Sequence, residues 1–189
     1  MTAFHPVWTG EAWVDMPVPD AGGIPLVMPN VAALVYGSDA RDRVLLQRRD
    51  KPGEVVRGRW ELPGGRWEAG ERPDVAVARE VEEETGVRVT AVCAAVEVTR
   101  HRPHIATATA RPLSVVVGID GAYPALLVLF ECRGEGEPRA LPGETADPSW
   151  WDVADVLRLL DDDPEAFVWQ SAALLRSALL PAGRGAPDR

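Results

Sequence analysis

One stretch, GRWEAGERPDVAVAREVEEETGV over residues 65–87, constrains this chain more than any other. Pro73 and Gly86 bracket a run with no internal proline or glycine. Proline suits a first helical position, where its missing N–H has no partner to lose; Asp74 complements the dipole there, and Gly86 stops the helix. The pattern predicts a helix over 73–85. At about 100° per residue, Glu80, Glu83 and Glu84 fall within an arc of about 100°, on one face. Val77, Ala78 and Val81 make the adjoining apolar face. Such a helix lays its apolar side on a sheet and leaves an acidic cluster at the margin.

The flanks supply that sheet. Compact apolar runs predict strands over 31–36, 44–49, 87–99, 113–119 and 125–132, with a short one at Trp150–Trp151. Residues 50–65 read as a loop, as do the basic segment 100–112 and the Gly/Pro/Glu segment 134–148. Helices follow at 153–160 and from Pro164 to about residue 180, whose Phe167, Ala173, Leu174 and Leu175 suit core packing or a homodimer surface. Residues 1–30 read as an irregular, proline-rich arm with one short strand near 7–14, and 182–189 as a frayed tail. Residues 31–181 then form one mixed α/β domain with helices layered on a sheet.

Composition narrows the function. The 189 residues carry 29 acidic and 20 basic side chains, a net charge of −9. That balance excludes nucleic-acid and anionic-membrane binding as general roles, because both need a basic field. No run approaches the length of a transmembrane helix, and the first 30 residues show no secretory pattern. Cys93 and Cys132 sit in apolar stretches and read as buried free thiols, which fits a reducing cytoplasm.

The acidic helix face carries the chemistry. Like charges at i, i+3 and i+4 repel, and three glutamates alone would read as a solvated surface. A hard cation removes the repulsion: Mg²⁺ or Mn²⁺ prefers carboxylate oxygens and shares its shell with substrate phosphates. The neighbours point the same way. Pro63, Gly64 and Gly65 make a tight turn where backbone approaches a ligand closely. Arg79 stands beside Glu80 to orient a carboxylate, and Glu71 lies just ahead of the helix.

The spacing G-x5-E-x7-R-E-U-x-E-E-x-G-U, with U aliphatic, is met by Gly65, Glu71, Arg79, Glu80, Val81, Glu83, Glu84, Gly86 and Val87. It resembles the box of the Nudix hydrolases without departure, and the lead-in Trp60-Glu61-Leu62-Pro63-Gly64-Gly65 is similar to that family's. The resemblance implies an α/β/α sandwich with a mixed sheet and a loop–helix–loop box. It implies hydrolysis of a nucleoside diphosphate linked to another group, with Mg²⁺ (or Mn²⁺) held by Glu80, Glu83 and Glu84. Arg79 and Glu71 would hold that cluster, and the Gly64 and Gly65 carbonyls would add a ligand. The general base is a box glutamate or a later one: Glu144 first, then Asp147 and Glu131.

Substrate clues are sparser. Arg100 and Arg102, with His101 and His104, concentrate positive charge and read as phosphate contacts or as a solvated loop. Pro103 lies 16 residues past the box, near where some ADP-ribose-cleaving members carry a proline. Trp67 is the tryptophan best placed to face a ligand; Trp60, Trp150 and Trp151 read as packing. The expected partner is a small nucleotide, either a nucleotide sugar like ADP-ribose or a (d)NTP, in a protein that is monomeric or a homodimer. The rival reading is a catalytically silent nucleotide sensor on the same fold, against which the complete box argues.

Overall fold

The computed structural model describes residues 3–8, 13–18, 28–68, 70–118 and 125–180. Two long strands make its centre: β3 (Met28–Tyr36) and β11 (Ala125–Glu135) run parallel, from Ala125 opposite Met28 to Arg133 opposite Tyr36. With β4 (Arg43–Arg49), β10 (Ser114–Val117) and β12 (Thr145–Asp152) they give the order β10-β11-β3-β4-β12. Three short strands attach antiparallel: β5 (Trp60–Glu61) on β4, β6 (Gly64–Arg66) on β3, and β7 (Arg88–Val92) on β11.

Alternation along β3 fixes the layers, because successive strand side chains point to opposite faces. Val31, Ala33 and Val35 face α1 (Pro73–Thr85), with Ala76, Val77, Val81, Phe130 and Cys132 in the same core. Ala32, Leu34 and Tyr36 face α2 (Val153–Asp162) and α3 (Trp169–Leu179), packing with Val156, Leu160, Leu174 and Leu175. A mixed sheet thus lies between helical layers, as expected.

Several expectations change. The N-terminal segment carries two strands, β1 (Ala3–Trp8) and β2 (Trp13–Val18), paired as an antiparallel hairpin, where one strand was expected. The strand expected over 87–99 stops at Val92, and the basic segment is a second hairpin, β8 (Glu97–Arg102) with β9 (Ile105–Thr109). The Val- and Ala-rich run is thus divided between β7 and β8, and every residue of the two hairpin strands is exposed. Pro164 opens only a 3₁₀ turn (Pro164–Ala166), and Phe167 then enters the core beside Trp60 before α3 begins. Cys132 is buried, but Cys93 is exposed; both thiols are free. The expectations for 1–2, 9–12, 19–27, 119–124 and 181–189 lie outside the described residues.

Candidate functional site

The box helix is seated from both ends. Arg72 is the N-cap in extended conformation and Pro73 the first helical residue. At the other end Gly86 adopts φ 67°, and its N–H donates to Glu82 O. The last carbonyls, unpaired by the helix itself, find partners in the following chain: Thr145 Oγ1 donates to Glu84 O at 2.9 Å and Arg139 N–H to Thr85 O at 2.7 Å.

The turn before the helix approaches the sheet closely. β6 pairs Gly64 with Ala32 and Gly65 with Val31. Gly64 has φ +153°, and a Cβ there would meet Val31 O at 2.2 Å. At Gly65 a Cβ would instead meet Glu80 Oε2 at 2.3 Å. Bare backbone at Gly65 therefore makes the place into which the Glu80 carboxylate fits.

Arg79 organises the cluster with all five of its N–H donors. Nε and Nη2 grip the two oxygens of Glu71, each at 3.0 Å, and Nη2 also donates to Arg66 O at 3.1 Å. Nη1 donates to Glu80 Oε1 at 2.7 Å and Glu83 Oε2 at 3.1 Å. Hydrogen bonding from Arg79 holds the Glu71 carboxyl below its ordinary pKa. Burial pushes Glu80 up despite Arg79, with the nearby Glu83 charge adding to the rise.

The three box glutamates thus occupy three environments. Glu83 keeps a 57% exposed side chain. Glu80 is half-buried against Gly65. Glu84 is 3% exposed, its Oε2 accepting from Gln47 Nε2 at 2.6 Å and Gly64 N–H at 2.9 Å. Burial, and then the charge of Glu61, raise the Glu84 carboxyl to about 8. Among the described residues no three histidine, cysteine or acidic side chains converge as a ready-made metal cage. Arg79 binds one oxygen each of Glu80 and Glu83.

Of the other expected site residues, Glu144 lies just ahead of β12 with its carboxylate 3.6 Å from Lys51 Nζ. Asp147 sits at a β-bulge with φ 48°, its side chain 73% exposed and 3.6 Å from Arg48. Glu131 is bound by Arg41 at 2.5 Å and Arg133 at 3.4 Å. Alternation along β11 turns Phe130 and Cys132 toward α1, and hence Glu131 to the opposite face, away from the box. Trp67 Nε1 donates to Glu71 O at 3.0 Å, and its ring packs on the α1-side core. Arg100 and Arg102 are on strand β8, not in a loop, and form no ion pair among the described residues. Trp60 and Trp151 pack edge to face at 4.8 Å. A hollow of about 210 Å³ lined by Gly37, Arg43, Glu135 and Trp150 shares no residue with the box.

Glu61 was not singled out as a site residue, yet it is 6% exposed and charge-coupled to Glu84. Burial pushes its carboxyl up, with Arg49 and Lys51 opposing. The signal was present in the alternation: Trp60 and Leu62 face the α2/α3 core, which turns Glu61 to the box side beside its cross-strand partner Gln47.

The sequence matches the NUDIX domain family over residues 27–170. The chain belongs to that family. A MutT-like protein of Streptomyces ambofaciens is 44% identical over 70 residues, 37% of this chain and 41% of that protein. A Mycobacterium tuberculosis protein with the provisional name 8-oxo-dGTP diphosphatase 2 is 52% identical over 46 residues, 24% of this chain and 32% of that protein. This NUDIX chain therefore spans less than half the length of these curated relatives. Among solved structures, the NUDIX domain of Shewanella oneidensis NrtR in complex with ADP-ribose superposes with a TM-score of 0.57. It is 19% identical, over 85% of this chain and 92% of that one, and the likeness is one of fold. Among the described residues no helix is long and apolar enough to cross a membrane.

Proposed function

We propose that this NUDIX protein is a pyrophosphohydrolase dependent on Mg²⁺, with Mn²⁺ as a substitute, that cleaves the diphosphate linkage of a nucleotide. The substrate is an ADP-ribose-like nucleotide sugar or a (d)NTP. The observation that carries the reading is the guanidinium of Arg79 holding Glu71, Glu80 and Glu83 in one array beside the buried Glu84. These are hard oxygen donors of the kind Mg²⁺ prefers, and the cradle at Gly65 holds one of them in place.

Glu80, Glu83 and Glu84 would hold the metal, joined by a Gly64 or Gly65 carbonyl. When bound, the ion would offset the diphosphate charge and lower the pKa of a coordinated water. Glu71 and Arg79 keep the carboxylates in register. Glu144, loosely paired with Lys51, takes the proton from the attacking water. Trp67, from the box loop, would contact the nucleotide. Arg100 and Arg102 reach terminal phosphates from the exposed hairpin. The protein works in a reducing cytoplasm, consistent with two free thiols.

The test is a panel of (d)NTPs, 8-oxo-dGTP, ADP-ribose, nucleotide sugars and diadenosine polyphosphates, assayed with Mg²⁺ and with chelator by phosphate release. Metal-dependent cleavage of one group, abolished in Glu83→Gln at unchanged Tm, is expected. Thermal stabilisation by one compound without cleavage of any would overturn the hydrolase in favour of a sensor.

A further inference from the structure

The hollow beside Trp150 lies where the central strands end. Gly37 follows β3, Arg43 opens β4, and Gly134 and Glu135 close β11. Gly37 stands five residues beyond Ala32, the partner of Gly64. At about 3.3 Å per residue it is about 17 Å along the sheet from the box turn.

Bare backbone shapes this hollow. At Gly37 a Cβ would meet the Trp150 ring at 3.2 Å, so glycine lets the indole close up against the chain. At Gly134 a Cβ would meet Val35 Cγ1 at 2.7 Å and Val87 Cγ1 at 2.8 Å. Gly136 adopts φ +119°, and its carbonyl accepts from Trp150 Nε1 at 3.4 Å, which ties the indole to the far wall. The result is an aromatic side chain set beside glycine backbone, with room for a flat ring.

The charges at the rim are unequal. Glu135 is taken by Arg88. Arg43 is exposed and forms no ion pair among the described residues, although Asp152 is its cross-strand partner. In a chain of net charge −9 that leaves a cation at the edge of an aromatic hollow. An aromatic face takes any nucleobase by stacking, and a guanidinium matches the geometry of a phosphate. The size sets the ligand. A volume of about 210 Å³ admits one base, where pockets for larger molecules run to about 300–1,000 Å³.

We propose that this hollow is a second nucleotide site, independent of metal, in which a base stacks on Trp150 and a phosphate outside it meets Arg43. The ligand class is a nucleoside monophosphate, the kind of product that cleavage at the box would release. That choice of ligand rests on the hydrolase reading given above; the hollow shares no residue with the box.

The experiment is calorimetric titration of the full chain with AMP and with GMP, in chelator, with adenosine and inorganic phosphate as separate probes. The wild type should bind one monophosphate per chain, and Glu83→Gln should bind it equally well. Arg43→Gln should bind AMP at least tenfold more weakly and adenosine unchanged. Trp150→Leu should weaken both. Ser38→Glu, an exposed rim position, sets a like charge against the phosphate and serves if Trp150→Leu does not fold. No binding in chelator would overturn the proposal. So would binding that Arg43→Gln and Ser38→Glu leave unchanged, or that Glu83→Gln abolishes, since the nucleotide would then sit at the box. Metal-dependent turnover without binding in chelator would sink this inference alone. Binding governed by Arg43 in a protein that hydrolyses nothing would keep the site and sink the hydrolase reading.

Discussion

Glu84→Gln separates what the box does for chemistry from what it does to stability. Glu84 is 3% exposed, and its carboxyl is raised from 4.5 to about 8, by burial first and by Glu61 second. Between those values the folded protein keeps a proton that the unfolded chain gives up. Without metal, stability therefore falls as pH rises from about 4.5 to about 8 and levels off above. At about 1.4 kcal/mol per pH unit the full loss is about 5 kcal/mol, of which about 3 kcal/mol falls between pH 5.5 and 8.5. Glutamine keeps an oxygen to accept from Gln47 and Gly64 and removes the titrating charge. In urea unfolding with chelator, the wild type should lose about 3 kcal/mol more than Glu84→Gln between those two pH values. The variant should be the more stable protein at pH 8.5 and a far poorer catalyst. Parallel pH profiles for the two proteins would refute the argument, since burial would then not be acting on Glu84.

Gly65→Ala sets a methyl group against the Glu80 carboxylate, a flexible end; it should leave stability within about 1 kcal/mol and lower kcat about 100-fold, as misplacement of a reacting group does. Gly64→Ala, whose Cβ would strike the backbone of Val31 and Ala32 at φ +153°, should instead lower Tm, the conformation alone costing about 1–3 kcal/mol. Glu144→Gln should reduce kcat by about 10²–10⁴ and Asp147→Asn hardly at all; equal small losses would return the base to the box. Leu174→Ala empties part of the α2/α3 core and should cost about 2–5 kcal/mol in urea unfolding at unchanged KM.

Legibility tracked how local the governing physics is. The helix over 73–85 was readable because proline, the dipole and glycine act within a turn of their own positions, and the structure gives Pro73–Thr85. The buried central strand was readable because 31–36 is apolar at every position, as a strand covered on both faces must be, while the sandwich itself came from the family resemblance. The hairpin over 97–109 was not, because a run of Val and Ala does not say whether anything lies above it. Environments were hidden more deeply still. Glu80, Glu83 and Glu84 share a helix face by spacing, but the sheet buries one, cradles the second and leaves the third in solvent. Glu61 escaped notice because its partners, Gln47 and Glu84, come from β4 and α1, and only the fold brings them together.

That distribution explains why an arginine stands at position 79. Its guanidinium spans Glu71 before the helix, Glu80 and Glu83 within it, and a carbonyl of β6, and so ties loop, helix and sheet edge in one plane. A lysine would bring the same charge with three donors on one atom, and could not hold both oxygens of Glu71 while reaching the other two carboxylates. The repulsion among acids that makes the helix face costly in isolation is thereby reduced before any cation binds. Glu84, out of reach of Arg79, is held by an amide and a backbone N–H, and its burial favours the protonated carboxyl until a cation binds. The carboxylate array is preorganised at its rim by arginine and left electrically unfinished at its buried end.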